Sequence, residues 1–373
     1  MKRQKNIPFF GIDRIYKKHS KDIINTVDTV YSKGKILMGP DIKIFEEKIS
    51  KLCKRKYAVA VNNCTDALYF ALLSAGIGKN DEVLVTGFSY IASVTPILRV
   101  GAIPVFVDIE PDYYMMNLSD LENKITPKTK AILAVHLFGQ MLAVDRLEKI
   151  AKKNNLVLIE DAAQSQGSKN KNKIAGSIGI TSCLSFDPTK IIGAFGTAGT
   201  LLTDNKTVYN KVKKLRYHGK NFDTGEIEIL GYNSHITTLQ AALINLQLNN
   251  LAQLINKRNN IANIYNEELS NIKEIETPKI YKENNHTYHK YVIKAENRNG
   301  LKKYLDDNNI KTMTHYEKAL FEHPLFKNYQ YRAENLPVIN SIKNKVLSLP
   351  IYPELHDKEI KYLCKKIKKY FQK

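Results

Sequence analysis

The sequence predicts an α/β protein: a large domain with a mainly parallel seven-stranded sheet between helices, followed by a small C-terminal α+β domain. Three observations carry that prediction. Between residues 81 and 161, apolar runs of strand length alternate with helical stretches, the pattern of a sheet with crossover helices. The runs are apolar throughout rather than alternating, so both sheet faces are covered. Beyond a long helical pattern the composition shifts around Pro278 to Asn285, and strands and helices continue in smaller units. At 373 residues the chain is too long for one ordinary domain. The expected division is 1–250, including a helical entry segment over 1–55, and 251–373, the two joined by a helix over 237–271.

In chain order, Ile23, Ile24, Val27, Val30 and Tyr31 fall at helical spacing, with Gly34 placed to end that helix. Gly39-Pro40-Asp41 opens a second helix carrying Ile44, Phe45 and Ile49. A short strand at 58–61 runs into the turn Asn62-Asn63-Cys64-Thr65-Asp66 and a helix that Gly76 stops. Such a turn is a ready anion site, because free N–H groups and the helix dipole face it. A helix merely capped by Thr65 or Asp66 explains the same residues. Strands follow at 82–86, 103–108, 131–135 and 156–161, with helices at 90–99, 117–124 and 143–153 between them. Strands at 182–186 and 199–204 have no helix between them, so at least one antiparallel neighbour is expected. A helix at 205–216 precedes a polar loop and Gly231-Tyr232-Asn233-Ser234-His235. Leu239, Leu243, Leu246, Leu251 and Leu254 form the stripe of the helix over 237–271. A strand at 288–295, a helix at 299–307, strands at 311–316 and 347–350 and a helix at 356–371 complete the chain.

Composition excludes several classes. Hydrophobic content is 43%, ordinary for a globular protein, and no apolar run approaches the ~20 residues of a membrane span. The basic start, Met1-Lys2-Arg3-Gln4-Lys5-Asn6, has no apolar segment after it, unlike a signal peptide. Cys53, Cys64, Cys183 and Cys364 are scattered without metal-site or disulfide-framework spacing. A reduced, cytoplasmic protein with no metal is the expectation. The net charge of +20 would suit a polyanion, but the lysines are spread along the chain, densest at 51–56, 169–173, 211–214 and 365–369. No interleaved aromatics and no helix-turn-helix or zinc-finger pattern accompany them, so solvated faces account for the charge and no nucleic-acid partner is expected.

The chemistry concentrates in residues 158–190. Leu158-Ile159-Glu160-Asp161 delivers a carboxylate at the C-terminal end of a buried strand, where open α/β sheets keep their ligand sites. About twenty residues on, Ser185-Phe186-Asp187-Pro188-Thr189-Lys190 ends another strand in a turn bearing a lysine, with Gly193, Gly196 and Gly199 close behind. A carboxylate, a hydroxyl and a lysine gathered at neighbouring strand ends are what a pyridoxal phosphate site needs. A capping carboxylate and a surface lysine would be the plain alternative.

Blocks along nearly the whole chain, from Ile7-Pro8-Phe9 to Leu349-Pro350, carry a resemblance. They include Thr65-Asp66-Ala67-Leu68, Gly76-Ile77-Gly78 with Asp81-Glu82-Val83, Gly101-Ala102 with Pro104-Val105-Phe106-Val107-Asp108, and Val135-His136-Leu137-Phe138-Gly139. Glu160-Asp161-Ala162-Ala163-Gln164, Ser185-Phe186 with Lys190, and Gly231-Tyr232-Asn233 with Leu239-Gln240-Ala241-Ala242 continue the series. In that order they resemble the DegT/DnrJ/StrS family of sugar-nucleotide aminotransferases, type I enzymes of the aspartate aminotransferase fold that use pyridoxal 5′-phosphate (PLP). The resemblance implies that Lys190 forms the Schiff base and Asp161 pairs with the pyridine nitrogen. It implies Gln164 near the ring oxygen, Tyr90 stacked on the ring, and Ser185 with the backbone at Thr65 and Asp66 on the phosphate. Asn233 would reach in from a partner subunit, which implies a homodimer. Tyr217, His218, Arg258, His315 and Tyr316 are candidates for the sugar-nucleotide side, since they sit at loop positions that family members use for substrate.

The implied reaction takes the amino group of L-glutamate onto the enzyme, leaving the pyridoxamine form, and passes it to the carbonyl of a nucleotide-linked keto-deoxysugar for surface polysaccharide or glycan biosynthesis. Lys190 argues against the family's sugar dehydratases, which carry histidine there. Another PLP lyase, or a PLP-binding regulator, are the rivals. Cys64 stands where the family usually has glycine, so the turn must avoid positive φ there. Ala198 falls in the glycine-rich run, and His235 and Thr237 replace a usual arginine and acidic residue.

Overall fold

The structure, a computed structural model, describes residues 6–372. The basic start at residues 1–5 lies outside the described residues. Helices α1 (Ile12–Ser32) and α2 (Pro40–Leu52) lead in; Gly34, at φ +65°, follows the first and Pro40 opens the second. Strand β1 (Tyr57–Val61) then runs into α3 (Cys64–Ser74). The alternating part follows as β2 (Glu82–Thr86), α4 (Thr95–Arg99), β3 (Ile103–Val107), α5 (Leu118–Asn123), β4 (Thr129–Val135), α6 (Val144–Lys153) and β5 (Val157–Asp161). Two-residue strands β6 (Lys169–Asn170) and β7 (Lys173–Ile174) precede β8 (Thr181–Ser185), β9 (Gly199–Thr203) and α7 (Lys206–Arg216). Helices α8 (Thr238–Leu248) and α9 (Leu251–Leu269) lead to β10 (Ile275–Glu276), β11 (Asn284–Asn285), β12 (Tyr291–Ala295), α10 (Arg298–Asp307), α11 (Pro337–Ile342), β13 (Val346–Leu349) and α12 (Asp357–Phe371).

The seven expected strands form one sheet in the order β1-β9-β8-β5-β4-β2-β3. Strands β3, β2, β4, β5 and β8 are parallel, whereas β9 runs antiparallel to both β8 and β1. Alternate residues feed two cores: Ala131, Leu133 and Val135 of β4 enter one, and Ile132 and Ala134 the other. The parallel strands therefore end together on one side, where β5 presents Asp161 and β8 presents Ser185. A third core joins α9, β12, β13, α10 and α12, and Ile7 enters it through a parallel bridge to Ile310. Residues 319–342 lie beyond the expected boundary at 250 but pack on the first core, where Arg332 bridges Val105 along β3.

Four expectations are corrected. The helix over 237–271 is two helices, because Asn250 leaves helical geometry (φ −102°, ψ 5°) at an Asn-Asn pair of weak helix formers. The stretch 90–99 divides into one tight turn, Ile91–Ser93, and α4, whose Pro96 restricts the residue before it. Residues 311–316 form no ladder; Met313 alone bridges Ser348. The strand expected from 288 begins at Tyr291, since Thr287 and Lys290 donate their N–H groups to Gly139 and Phe138 instead. Among the described residues no helix is long and apolar enough to cross a membrane.

Candidate active site

A cavity of about 560 Å³ opens at the C-terminal ends of β5 and β8, of a size that takes a cofactor with its substrate. Asp161 forms its floor, 4% exposed. Its Oδ2 accepts the Ser93 hydroxyl at 2.7 Å and its Oδ1 the Ala163 N–H at 3.1 Å. Burial pushes the Asp161 carboxyl up from the usual range, while those two bonds and the nearby Lys190 ammonium oppose it. The neighbouring Glu160 points to the other face, accepting the Gly176 and Ile178 N–H groups with His136 Nε2 3.1 Å away.

Lys190 ends the turn after β8, where its N–H returns to Asp187 O. Asp187 Oδ1 also accepts the Thr189 N–H and hydroxyl, fixing that turn. The Lys190 amine has no acceptor among the described residues, and desolvation draws it below the ordinary lysine range against the pull of Asp187, Cys64 and Asp161. Such an amine, with the Asp187 and Asp161 carboxylates near, is suited to act as a nucleophile and base, which a surface lysine is not.

Opposite, α3 starts at the cavity. Asn63 caps it by accepting the Asp66 N–H at 2.8 Å, which leaves the Cys64 and Thr65 N–H groups without a backbone acceptor. With the Thr65 and Ser185 hydroxyls, they make an anion cradle at a helix N-terminus. Cys64 avoids the left-handed region, as the turn requires. Gly199 lies so close that a Cβ there would meet Asn63 C at 2.4 Å, so glycine is needed for β9 to pass the turn. Tyr90 lines the wall with 60% of its surface exposed. Gln164 is held by the Phe138 N–H on its carbonyl and by its own donation to Tyr316 OH at 2.9 Å. The donor set fits PLP: a carboxylate for a protonated ring nitrogen, an unpaired lysine for the aldehyde, and N–H and hydroxyl donors for the phosphate.

The profile of the DegT/DnrJ/EryC1/StrS aminotransferase family matches residues 17–368. The chain belongs to that family. A pleiotropic regulatory protein of Geobacillus stearothermophilus is 33% identical, over 98% of this chain and 99% of its own. A UDP-2-acetamido-2-deoxy-3-oxo-D-glucuronate aminotransferase of Pseudomonas aeruginosa is also 33% identical, over 92% and 95%. NtdA of Bacillus subtilis, solved with bound cofactor PMP, superposes with a TM-score of 0.91 at 30% identity, covering 100% of this chain and 87% of that one.

Measured against the residues expected from the family resemblance, Thr65, Tyr90, Asp161, Gln164, Ser185, Lys190, His315 and Tyr316 all line the cavity. Asp66 does not: its N–H serves Asn63, and its carboxylate takes the Ser234 hydroxyl and the Arg99 guanidinium. Arg258 is displaced too. It is buried, and its Nη1 donates to both Tyr288 O and Ile351 O, clamping the backbone behind the site. Tyr217, His218 and Asn233 gather elsewhere, Tyr217 bridging Asn233, with both His218 and Asn233 exposed. His235 packs against Tyr217 at a tilt of 49°, and Thr237 caps α8. Ser93 and the trio His289, Lys290 and Thr314 also line the cavity without having been expected. The four-residue spacing from Ser89 to Ser93 beside Tyr90 could have flagged the serine; a lysine in an apolar strand pattern, Lys290, was the other signal.

Proposed function

We propose that this protein is a PLP-dependent aminotransferase that takes the amino group of L-glutamate and places it on the ketone of a nucleotide-linked keto-deoxysugar. The observation that carries this reading is the meeting of Asp161 and the unpaired Lys190 in one cavity with a helix N-terminus. When bound, PLP supplies an aldehyde to accept the amine and a cationic ring that withdraws electrons from the adjacent carbon. Ionised Asp161 would hold the proton on the ring nitrogen, and Ser93 would keep that carboxylate in place. Lys190 Nζ, once exchanged for the donor's amine, would take the proton from the donor's α-carbon and return it as the general acid. The Cys64 and Thr65 N–H groups with Ser185 would fix the phosphate. Tyr90 would cover the ring, and His315 and Tyr316 would face the sugar.

The relatives' names support the substrate class: one of them acts on a nucleotide-linked oxo-sugar. The pyridoxamine form of the cofactor in NtdA supports the cofactor and the half-reaction. A cytoplasmic enzyme fits four buried cysteines, none of them paired. Purified protein should show a PLP absorption band that bleaches with glutamate and returns with a keto-sugar nucleotide. Lys190→Ala should lose ~10³-fold or more of the turnover. No spectral change with any amino donor would sink the reading. The second reading is a PLP-binding regulator that touches nucleic acid through its +20 charge, since one relative is named a pleiotropic regulatory protein; a salt-sensitive gel shift at physiological ionic strength would favour it.

A further inference from the structure

The cavity contains a second lysine. Lys290 is 6% exposed, lines the cavity, and also lines the small pocket beside it, which shares Lys190, Thr189 and His289. Its Nζ lies 4.4 Å from the Phe10 ring centre and 5.1 Å from that of Phe9. No carboxylate pairs with it among the described residues, and its charged surroundings are mostly of its own sign: Lys190 and Arg258, with Asp187 the opposing charge. Burial, then those neighbours, draw its amine well below the ordinary lysine range.

Two further polar groups on the same cavity lining have no partner. His289 Nδ1 and Thr314 Oγ1 are buried and make no hydrogen bond. The His315 ring alongside is fixed by its Nδ1 contact with Ser348 Oγ at 2.8 Å. A buried amine, an imidazole and a hydroxyl left unsatisfied together are costly unless a ligand completes them. Two aromatic faces lie against the amine but supply no opposite charge that would keep it protonated. The missing partner is an anion.

We propose that Lys290, with His289 and Thr314, is a carboxylate-binding subsite that positions a substrate by an acid group close to its reacting carbon. This rests on the aminotransferase reading above and names a recognition element for it. Lys290 shares a wall with Lys190, so the anion lies near the reacting atom. A carboxylate close to the amine or ketone fits that placement; the diphosphate of a nucleotide sugar is separated from the ketone by the sugar ring. The carboxylate belongs either to the amino donor or to an acidic sugar, and both present the same chemistry to the lysine.

The test uses the holoenzyme and its Lys290→Met and Lys290→Arg variants. Calorimetry measures binding of glutarate, an unreactive dicarboxylate, and of a nucleoside-diphosphate uronic acid against its neutral hexose counterpart. Lys290→Met should weaken one carboxylate ligand ~10-fold or more, the loss expected for one charge-assisted bond, and leave the neutral sugar unchanged. Lys290→Arg should restore part of it. Loss confined to glutarate assigns the subsite to the donor, and loss confined to the uronate assigns it to the sugar. Without ligand, Lys290→Met should melt no lower than the parent, because it removes an unpaired buried amine. Carboxylate binding within twofold of the parent for both ligands overturns the proposal. A parent with no PLP band would sink the aminotransferase reading instead, and the binding arms would still judge Lys290.

Discussion

Ser93 favours the charged form of Asp161. The carboxylate is almost fully buried, and burial alone favours its neutral form, which could not hold a proton on a ring nitrogen. The 2.7 Å bond from Ser93 favours the ionised form, and Ser89 orients Ser93 through a 2.9 Å hydroxyl contact. A hydrogen bond to a charged group contributes about 1.5–3 kcal/mol, or roughly one to two pKa units. Ser93→Ala should therefore raise the Asp161 pKa further and move the acid limb of the kcat/KM profile upward by about one unit. Asp161→Asn should lose activity at every pH. An unchanged acid limb in Ser93→Ala would show that Ala163 N–H and Lys190 suffice to keep Asp161 ionised.

At the level of elements, β1 is an edge of the large sheet, and its exposed side is covered by two charged side chains. Glu46 of α2 accepts the Ala60 N–H at 2.8 Å, and Arg216 of α7 donates to Ala60 O at 2.9 Å while pairing with Glu46. Both backbone groups of Ala60 are thus satisfied without another strand, which protects the edge from pairing with other chains. Arg216→Met leaves Glu46 and Ala60 O without their partner in a buried place, and should cost about 3 kcal/mol in a denaturant titration of the holoenzyme. Arg216→Met combined with Glu46→Leu should recover part of that; a purely additive double variant would refute the coupling. Strands β1 to β5 were readable because each carries a continuous apolar run, β8 and β9 less directly because Thr and Ser interrupt theirs, and Asp161, Ser185 and Lys190 were readable because strand ends put them on one side. What escaped depends on contacts distant in sequence. Whether α8 and α9 are one helix is decided at Asn249 and Asn250, which a leucine stripe does not see. Arg258 looked like a substrate residue, but carbonyls of residues 288 and 351 claim it. Lys290 was hidden inside a strand pattern, since its exposure depends on a fold that places Phe9 and Phe10 over it.

For the whole molecule, pH and assembly act together. Burial pulls His286 down to about 3 and His289 well below the ordinary range, so both stay neutral in the folded chain. Below about pH 6.5 the unfolded chain binds protons that the folded one refuses, so stability falls as pH drops toward the folded values, by up to about 1.4 kcal/mol per pH unit for each histidine. The melting temperature should decline from about pH 6.5 downward, and His286→Gln should flatten the decline. Assembly is the larger matter. Asn233, Tyr217 and His218 lie together outside the cavity of their own chain, while α1, α2 and α8 expose Ile24, Tyr31, Ile44 and Leu246, with Leu37 beside them, as an apolar face. A homodimer, as the family resemblance implies, would cover that face and carry Asn233 into the partner's cavity, where it would serve the phosphate. Each site would then need Lys190 from one chain and Asn233 from the other. Lys190→Ala and Asn233→Ala proteins, each weak alone, should regain activity when unfolded and refolded together, because a mixed dimer has one site with both residues intact. Random pairing in a two-fold dimer makes half the dimers mixed, so roughly a quarter of the parental activity should return. Recovery no greater than the sum of the two variants would place Asn233 in its own chain's site or in none.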